Sequence, residues 1–199
     1  MERSNPKQSK AKRIPEVLTG DEVKALLAQP NPCYPTGLRN LCLMRVMLDA
    51  GLRASEVLKL TVFDIDWRSG KLKVVEGKGK KDRILWVNED CLVLLQQWRE
   101  KRPAGDNKTN LLFTTLDGTS IDDRYLRRMV KRYGEKAAIA KDVHPHMLRH
   151  TFATDLYSQT KNIRMVQKAL GHSDLATTMI YTHIVDDEME AAMRGFKRL

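Results

Sequence analysis

The sequence predicts a mainly α-helical domain with one small antiparallel β-hairpin. Three observations carry this. At 199 residues, with 42% hydrophobic and 30% charged side chains, the chain is long enough to enclose one sizeable core, and its modest glycine and proline content excludes collagen-like or wholly disordered chains. Most apolar side chains recur at spacings of three and four between recognisable helix caps. Only around Gly77-Lys78-Gly79-Lys80-Lys81-Asp82 does the pattern switch to the alternation of strands.

Residues 1–14 have almost no apolar content and read as a flexible basic arm, with residues 15–199 as the folded domain. Thr19 and Glu22 form a capping box for a helix carrying Val23, Leu26 and Leu27. After the Pro-rich loop from Asn31 to Pro35, a second helix is predicted from about Leu38 to Ala50, stopped by Gly51, and a short third from about Ser55 to Leu60. Lys71 to Glu76 and Arg83 to Val87 are the two strands of the hairpin, with the glycine-rich turn between them. Asn88 caps a helix with Cys91, Leu94, Leu95 and Trp98 on one side. Further helices are expected over Ile121 to Tyr133, His146 to Ser158, Ile163 to Leu170 and Asp174 to about Tyr181. A last one, about residues 186–199, bears Met189, Met193 and Phe196 on one stripe.

Charge narrows the function. The 35 Lys+Arg against 25 Asp+Glu give +10, and three segments hold more than the whole excess: +3 over residues 1–18, +5 over 68–83 and +6 over 124–141. Clustered positive charge suits a polyanion, because each neutralised phosphate releases counterions. On the predicted helix over Ile121 to Tyr133, Leu126, Met129, Val130 and Tyr133 share one stripe. Arg124, Arg127, Arg128, Lys131 and Arg132 fall opposite with no acid interleaved, which favours contact with phosphate over ordinary solvated surface. No apolar run approaches the ~20 residues of a membrane span, and the polar start lacks a signal-peptide core, so a cytoplasmic protein with no membrane partner is expected. Cys33, Cys42 and Cys91 are odd in number and contain no Cys-x-x-Cys pair, which reads as buried free thiols.

The histidines cluster late. His144-x-His146-x3-His150 invites a metal reading, but Arg149 stands inside the cluster and no acid or thiol is placed to complete the shell, so no metal is expected. His146 and Arg149, three residues apart, lie on one helix face at the edge of the stripe formed by Leu148, Phe152 and Leu156, where both can turn into a polar pocket. Alone the pair is weak. Its company is not: Gly51-Leu52-Arg53-Ala54-Ser55-Glu56 puts an arginine at a helix entrance and Gly77-Lys78-Gly79 a lysine at a hairpin turn. His172 then stands nine positions before Tyr181 in Leu170-Gly171-His172-Ser173 and Thr177-Thr178-Met179-Ile180-Tyr181.

With these motifs in this order, the chain resembles the tyrosine recombinase (phage integrase) family, in its Xer-like branch, over about residues 15–185. The resemblance implies the family's α+β catalytic-domain fold and a DNA strand transferase that needs neither metal, ATP nor another cofactor. In such enzymes a tyrosine attacks a phosphodiester, giving a 3′-phosphotyrosyl link and a free 5′-hydroxyl, and is later displaced by another 5′-hydroxyl. Tyr181 matches the nucleophile, His146 the proton-acceptor position, and Arg53 and Arg149 the arginines that grip the non-bridging oxygens. His172 matches the family's His-or-Trp position, and Glu56 the acid that orients the first arginine. Lys78 matches the hairpin lysine that protonates the leaving group, with Lys80 and Lys81 as close rivals.

The resemblance also implies double-stranded DNA as partner and self-association on it, as a tetramer of two site-bound pairs, with a monomer when free. It implies a prokaryotic or mobile-element setting. Most relatives carry an N-terminal DNA-binding domain, which is expected to be absent here, and Lys7, Lys10, Lys12 and Arg13 are candidates to compensate. The stripe of the last helix can dock on a neighbour or on its own core. Two alternatives remain: strand relaxation like that of a type IB topoisomerase, and a DNA-binding accessory protein with an idle pocket.

Overall fold

A computed structural model describes residues 15–75, 82–103 and 110–182. The helices are α1 (Gly20–Leu27), α2 (Pro35–Ala50), α3 (Ala54–Val57), α4 (Glu89–Lys101), α5 (Asp123–Lys136), α6 (Pro145–Thr160) and α7 (Ile163–Leu170). Strands β1 (Lys71–Val74) and β2 (Arg83–Trp86) pair antiparallel, and the described chain ends in two 3-10 turns, Leu175–Thr177 and Met179–Tyr181. The class is the one the sequence predicts. The basic arm, the hairpin turn with Lys78, Lys80 and Lys81, and the last helix with Met189, Met193 and Phe196 lie outside the described residues.

Local chemistry explains most boundaries. Thr19 accepts from the Glu22 amide while Glu22 accepts from the Thr19 amide at 2.7 Å, closing the expected capping box. Asn88, Asp122 and Asn162 cap α4, α5 and α7 in the same way. Helix α2 starts earlier than the expected Leu38, because Pro35 at the first helical position has its φ already set and lacks only an amide with no helical partner. Pro145 does the same for α6, whose cap is the His144 ring accepting from the Met147 amide. Helix α3 is a single turn, shorter than expected.

The segment predicted as a helix from Asp174 is the two 3-10 turns instead. Its amides bond three residues back, Thr178 to Leu175 and Tyr181 to Thr178, and the Thr177 hydroxyl occupies the Asp174 carbonyl at 2.6 Å. Two consecutive β-branched threonines, the second fully buried, favour this tighter path over an α-helix.

Helix α2 runs through the middle of the main core, packed on α4 and α6, and buries Leu38, Cys42, Leu43, Met44, Val46 and Met47. Its buried Arg39 and Asn40 are satisfied from α5 and the segment before it: Arg39 donates to the Thr114 carbonyl at 2.9 Å and to the Tyr125 hydroxyl, and Asn40 donates to the Tyr133 hydroxyl at 3.2 Å. A smaller cluster of Ala153, Tyr157, Val166, Leu170 and Tyr181 joins α6, α7 and the last turn. Gly51 ends α2 at φ +61, and a Cβ there would stand 2.2 Å from the Phe152 ring, so α6 can cross this closely only over a glycine. Of the three cysteines Cys42 and Cys91 are buried as expected; Cys33 is exposed, because it sits in the polar loop before α2.

Candidate active site

In the hairpin, Leu72 pairs with Leu85 and Val74 with Arg83, and these four face the core. Arg83 is therefore a buried cation in phase with apolar positions. Its guanidinium forms a two-pronged pair with Glu56, at 3.0 Å to Oε1 and 2.7 Å to Oε2, and its Nε donates to the Ala169 carbonyl at 2.9 Å. The hairpin is thus tied to α3 and to the end of α7. The sequence reading counted Arg83 only as part of a basic segment; its phase with Leu85 and Val87 was the signal.

Glu56 is the hub. As third residue of α3 it accepts the Arg53 amide on Oε2 and the Arg53 guanidinium on Oε1, both at 2.7 Å, while Arg149 lies 3.8 Å from Oε2. Burial alone would raise its carboxyl. The hydrogen bonds from Arg83, with the Arg53 amide and the charge of Arg83, outweigh that and hold it down at about 2. Glu56 stands beside Arg53 as expected, but it serves three guanidiniums rather than one.

Arg149 is 5% exposed on α6. Its guanidinium donates to the Gly51 carbonyl at the end of α2 and the Leu170 carbonyl at the end of α7, each at 2.6 Å, and meets Nε2 of His172 at 3.3 Å. An arginine only donates, so Nε2 of His172 is the acceptor and its Nδ1 carries the hydrogen, bonded to the Thr178 hydroxyl at 3.0 Å. Three arginines around one carboxylate leave a local surplus of positive charge beside neutral rings. That is the electrostatic character of an anion site.

Tyr181 is 2% exposed, and its hydroxyl lies 2.7 Å from Nδ1 of His150. Burial pushes the phenol up to about 12 against the opposing pull of Arg149. Burial, then the charges of His146, Arg149 and His144, push His150 down to about 4. His172 is likewise lowered to about 4, by burial first and then Arg149, Arg53, His150 and Arg83. The structure thus brings together Arg53, Glu56, Arg149, His172 and Tyr181.

His146 is exposed, one turn before His150; burial lowers its pKa first, then the charges of Arg127, His144 and Arg149, with Asp123 opposing. Two partners escaped the sequence reading. His150, half-buried, stands in helical phase with the buried Ala153 and Tyr157, which was a readable signal; Thr178 carries none.

Arg124, Arg127, Arg128, Lys131 and Arg132 of α5 are exposed, as expected, but not all stand free of acids. Arg127 pairs with Asp123 at 2.5 Å and Lys131 with Asp142 at 3.3 Å. Asp123 lies one turn back, and Asp142 folds in from the α5–α6 loop.

The lowered histidines fix a pH dependence. His150 and His172 take up protons less readily in the folded chain than at their ordinary 6.5, so the unfolded chain protonates first and stability falls as pH drops from about 6.5 toward 4. Glu56 adds a loss in the same direction between 4.5 and about 2. Thermal melts across pH 7 to 4 are expected to show a steady fall in Tm, shallower in His172→Asn.

The phage integrase family's sequence profile matches residues 16–188. The chain belongs to that family. Among phage integrase relatives it is 39% identical over 173 residues to the tyrosine recombinase XerC of Xanthomonas axonopodis pv. citri, covering 87% of this chain and 55% of that protein. It is 39% identical over 176 residues to XerD of Pseudomonas aeruginosa, covering 87% and 59%. The chain thus spans a little over half the length of these curated relatives. Among solved structures it matches the XerA recombinase with a TM-score of 0.81 at 33% identity, over 95% of this chain and 68% of that one. It matches the XerH recombinase bound to palindromic difH substrate, a post-cleavage complex, with a TM-score of 0.79 at 31% identity, over 94% and 54%. The fold is that of tyrosine recombinase catalytic domains within the phage integrase family.

Proposed function

We propose that this chain cuts and rejoins DNA strands in site-specific recombination, with Tyr181 as the nucleophile. The observation that carries the reading is the convergence of Arg53, Arg149, His172 and Tyr181 from separate segments around one surplus of positive charge. The oxygen of Tyr181 bonds to phosphorus as the bond from phosphorus to the 5′-oxygen breaks. The phenolic proton leaves to a base, for which the family resemblance names His146, and the 5′-oxygen takes a proton from Lys78, or from Lys80 or Lys81 beside it. Arg53 and Arg149 offset charge on the non-bridging oxygens. Bond energy is kept in the phosphotyrosyl link, so rejoining needs no nucleotide.

The exposed basic side of α5, with Arg124, Arg127, Arg128, Lys131 and Arg132, supports duplex DNA as the partner. Assembly follows the family as a tetramer on paired sites, from a monomer in free solution, in the cytoplasm of a prokaryotic host.

The test is a nicked suicide duplex, in which the short strand released by cleavage diffuses away. Wild-type protein, with chelator present, is expected to give a denaturant-resistant adduct whose DNA-bearing peptide contains Tyr181. DNA retention without adduct on a pool of nicked random duplexes would leave only the accessory reading. Plasmid relaxation without recombinant products would favour a topoisomerase.

A further inference from the structure

We propose that Arg83 is a positioning residue for strand cleavage: by pairing with both oxygens of Glu56, it keeps that carboxylate from competing with the scissile phosphate for Arg53 and Arg149. The inference rests on the proposed function, in which those two arginines meet the phosphate. Arg83 does not meet it. Its side chain is 6% exposed and faces the core with Leu72, Val74 and Leu85, on the side of the hairpin away from solvent. From there it reaches Oε1 of Glu56 at 3.0 Å and Oε2 at 2.7 Å.

A second tie fixes the guanidinium from the other side. Nε of Arg83 donates to the Ala169 carbonyl at 2.9 Å, and the next carbonyl along, that of Leu170, takes Arg149 at 2.6 Å. Both cations therefore lean on the negative end of α7, which Gly171 closes in the left-handed conformation. Arg53 directly precedes α3 and His172 stands just past α7, so Arg83 joins the two segments from which these groups project.

Charge decides the role. The three cations Arg53, Arg83 and Arg149 with the one carboxylate of Glu56 sum to +2. A phosphodiester carries one negative charge, and the five-coordinate phosphorus formed as the deprotonated Tyr181 oxygen adds to it carries two. The cluster therefore matches the transition state better than the resting ester. Without Arg83 the sum falls to +1, and Glu56, 2.7 Å from Arg53 and 3.8 Å from Arg149, is left to those two guanidiniums. How firmly Arg83 holds the carboxylate is visible in its ionisation: burial opposes the charge on Glu56, and the Arg83 hydrogen bonds are the largest of the influences that preserve it.

The experiment measures single-turnover adduct formation on the nicked suicide duplex, with rate constant and amplitude fitted separately, because unfolded protein lowers only the amplitude. Arg83→Met is expected to cleave about thirtyfold slower, the scale of one unit charge acting over roughly 8 Å at an effective dielectric of about 20. DNA affinity is expected to stay within about threefold, since a duplex is held at many phosphates. Adding Glu56→Gln is expected to recover about tenfold or more of the lost rate. Arg53 and Arg149 then again sum to +2, and the side-chain oxygen of glutamine still accepts the Arg53 amide that Glu56 takes now. On a duplex with a neutral methylphosphonate at the cleaved position, one charge fewer has to be matched, and the gap between wild type and Arg83→Met is expected to shrink to under about fivefold. A merely structural arginine would leave the same gap on both substrates. The inference is overturned by a loss under about fivefold in Arg83→Met, by an affinity loss as large as the rate loss, or by a gap that Glu56→Gln and methylphosphonate leave unchanged. If Arg83→Met fails to melt cooperatively, the double variant, which leaves neither charge of the broken pair behind, decides alone: a rate below about one-tenth of wild type overturns the inference. Any of these failures, with an adduct made by wild type but not by Tyr181→Phe, spares the proposed function; no wild-type adduct, or one that persists in Tyr181→Phe, overturns both.

Discussion

Tyr181→Phe is expected to abolish the covalent adduct completely while leaving DNA retention at the wild-type level. The ring keeps its place among Ala153, Tyr157, Val166 and Leu170, since the substitution removes one oxygen and no carbon. At 2% exposure Tyr181 offers almost no surface to a duplex, so affinity is carried elsewhere. The variant also strands Nδ1 of His150, which loses its partner at 2.7 Å. One such hydrogen bond contributes about 1 kcal/mol, which for a chain of this size lowers Tm by about 2–4 °C. Denaturing gels, a retardation assay and calorimetry check the three expectations separately. An undiminished adduct would show that another residue is the nucleophile.

Glu56→Ala is expected to give the largest loss of stability of any single change near the site, about 3–5 kcal/mol. The Glu56 and Arg83 side chains are 8% and 6% exposed, so the pair has little water to fall back on. Removing the carboxylate leaves the guanidiniums of Arg53, Arg83 and Arg149 facing one another in a poorly solvated space. Chemical denaturation reads the change directly. Pairing Glu56→Ala with Arg83→Met is expected to recover much of the loss, because the second change removes the cation that the first leaves uncompensated. A double variant as unstable as the sum of its parts would mean that shape at Glu56, and not its charge, supports this region.

The parts readable in advance were those whose causes lie within a few residues. Thr19 with Glu22, Asn88 and Gly51 announce helix ends through local bonds or a backbone angle, and they stand where expected. The residues around Arg53, Arg149, His172 and Tyr181 were readable as motifs. What escaped depends on partners far along the chain. Arg83 finds Glu56 across 27 positions, and a basic hairpin read alone suggests solvent or DNA rather than a buried ion pair. His150 finds Tyr181 across 31 positions, so its spacing to other histidines said nothing about its partner. The apolar spacing from Asp174 onward suits a helix, but Thr178 is drawn inside to accept from His172, and this contact sets the turn.

Arg149 has three of its five N–H groups engaged by Gly51, Leu170 and His172 in the free protein. A free arginine side chain gives up roughly 2 kcal/mol of rotamer entropy when it is frozen. Here folding has already frozen it. An incoming phosphate would therefore meet a guanidinium whose orientation was settled when α2 and α7 came together, and the affinity gained there is not eroded by having to still a moving chain.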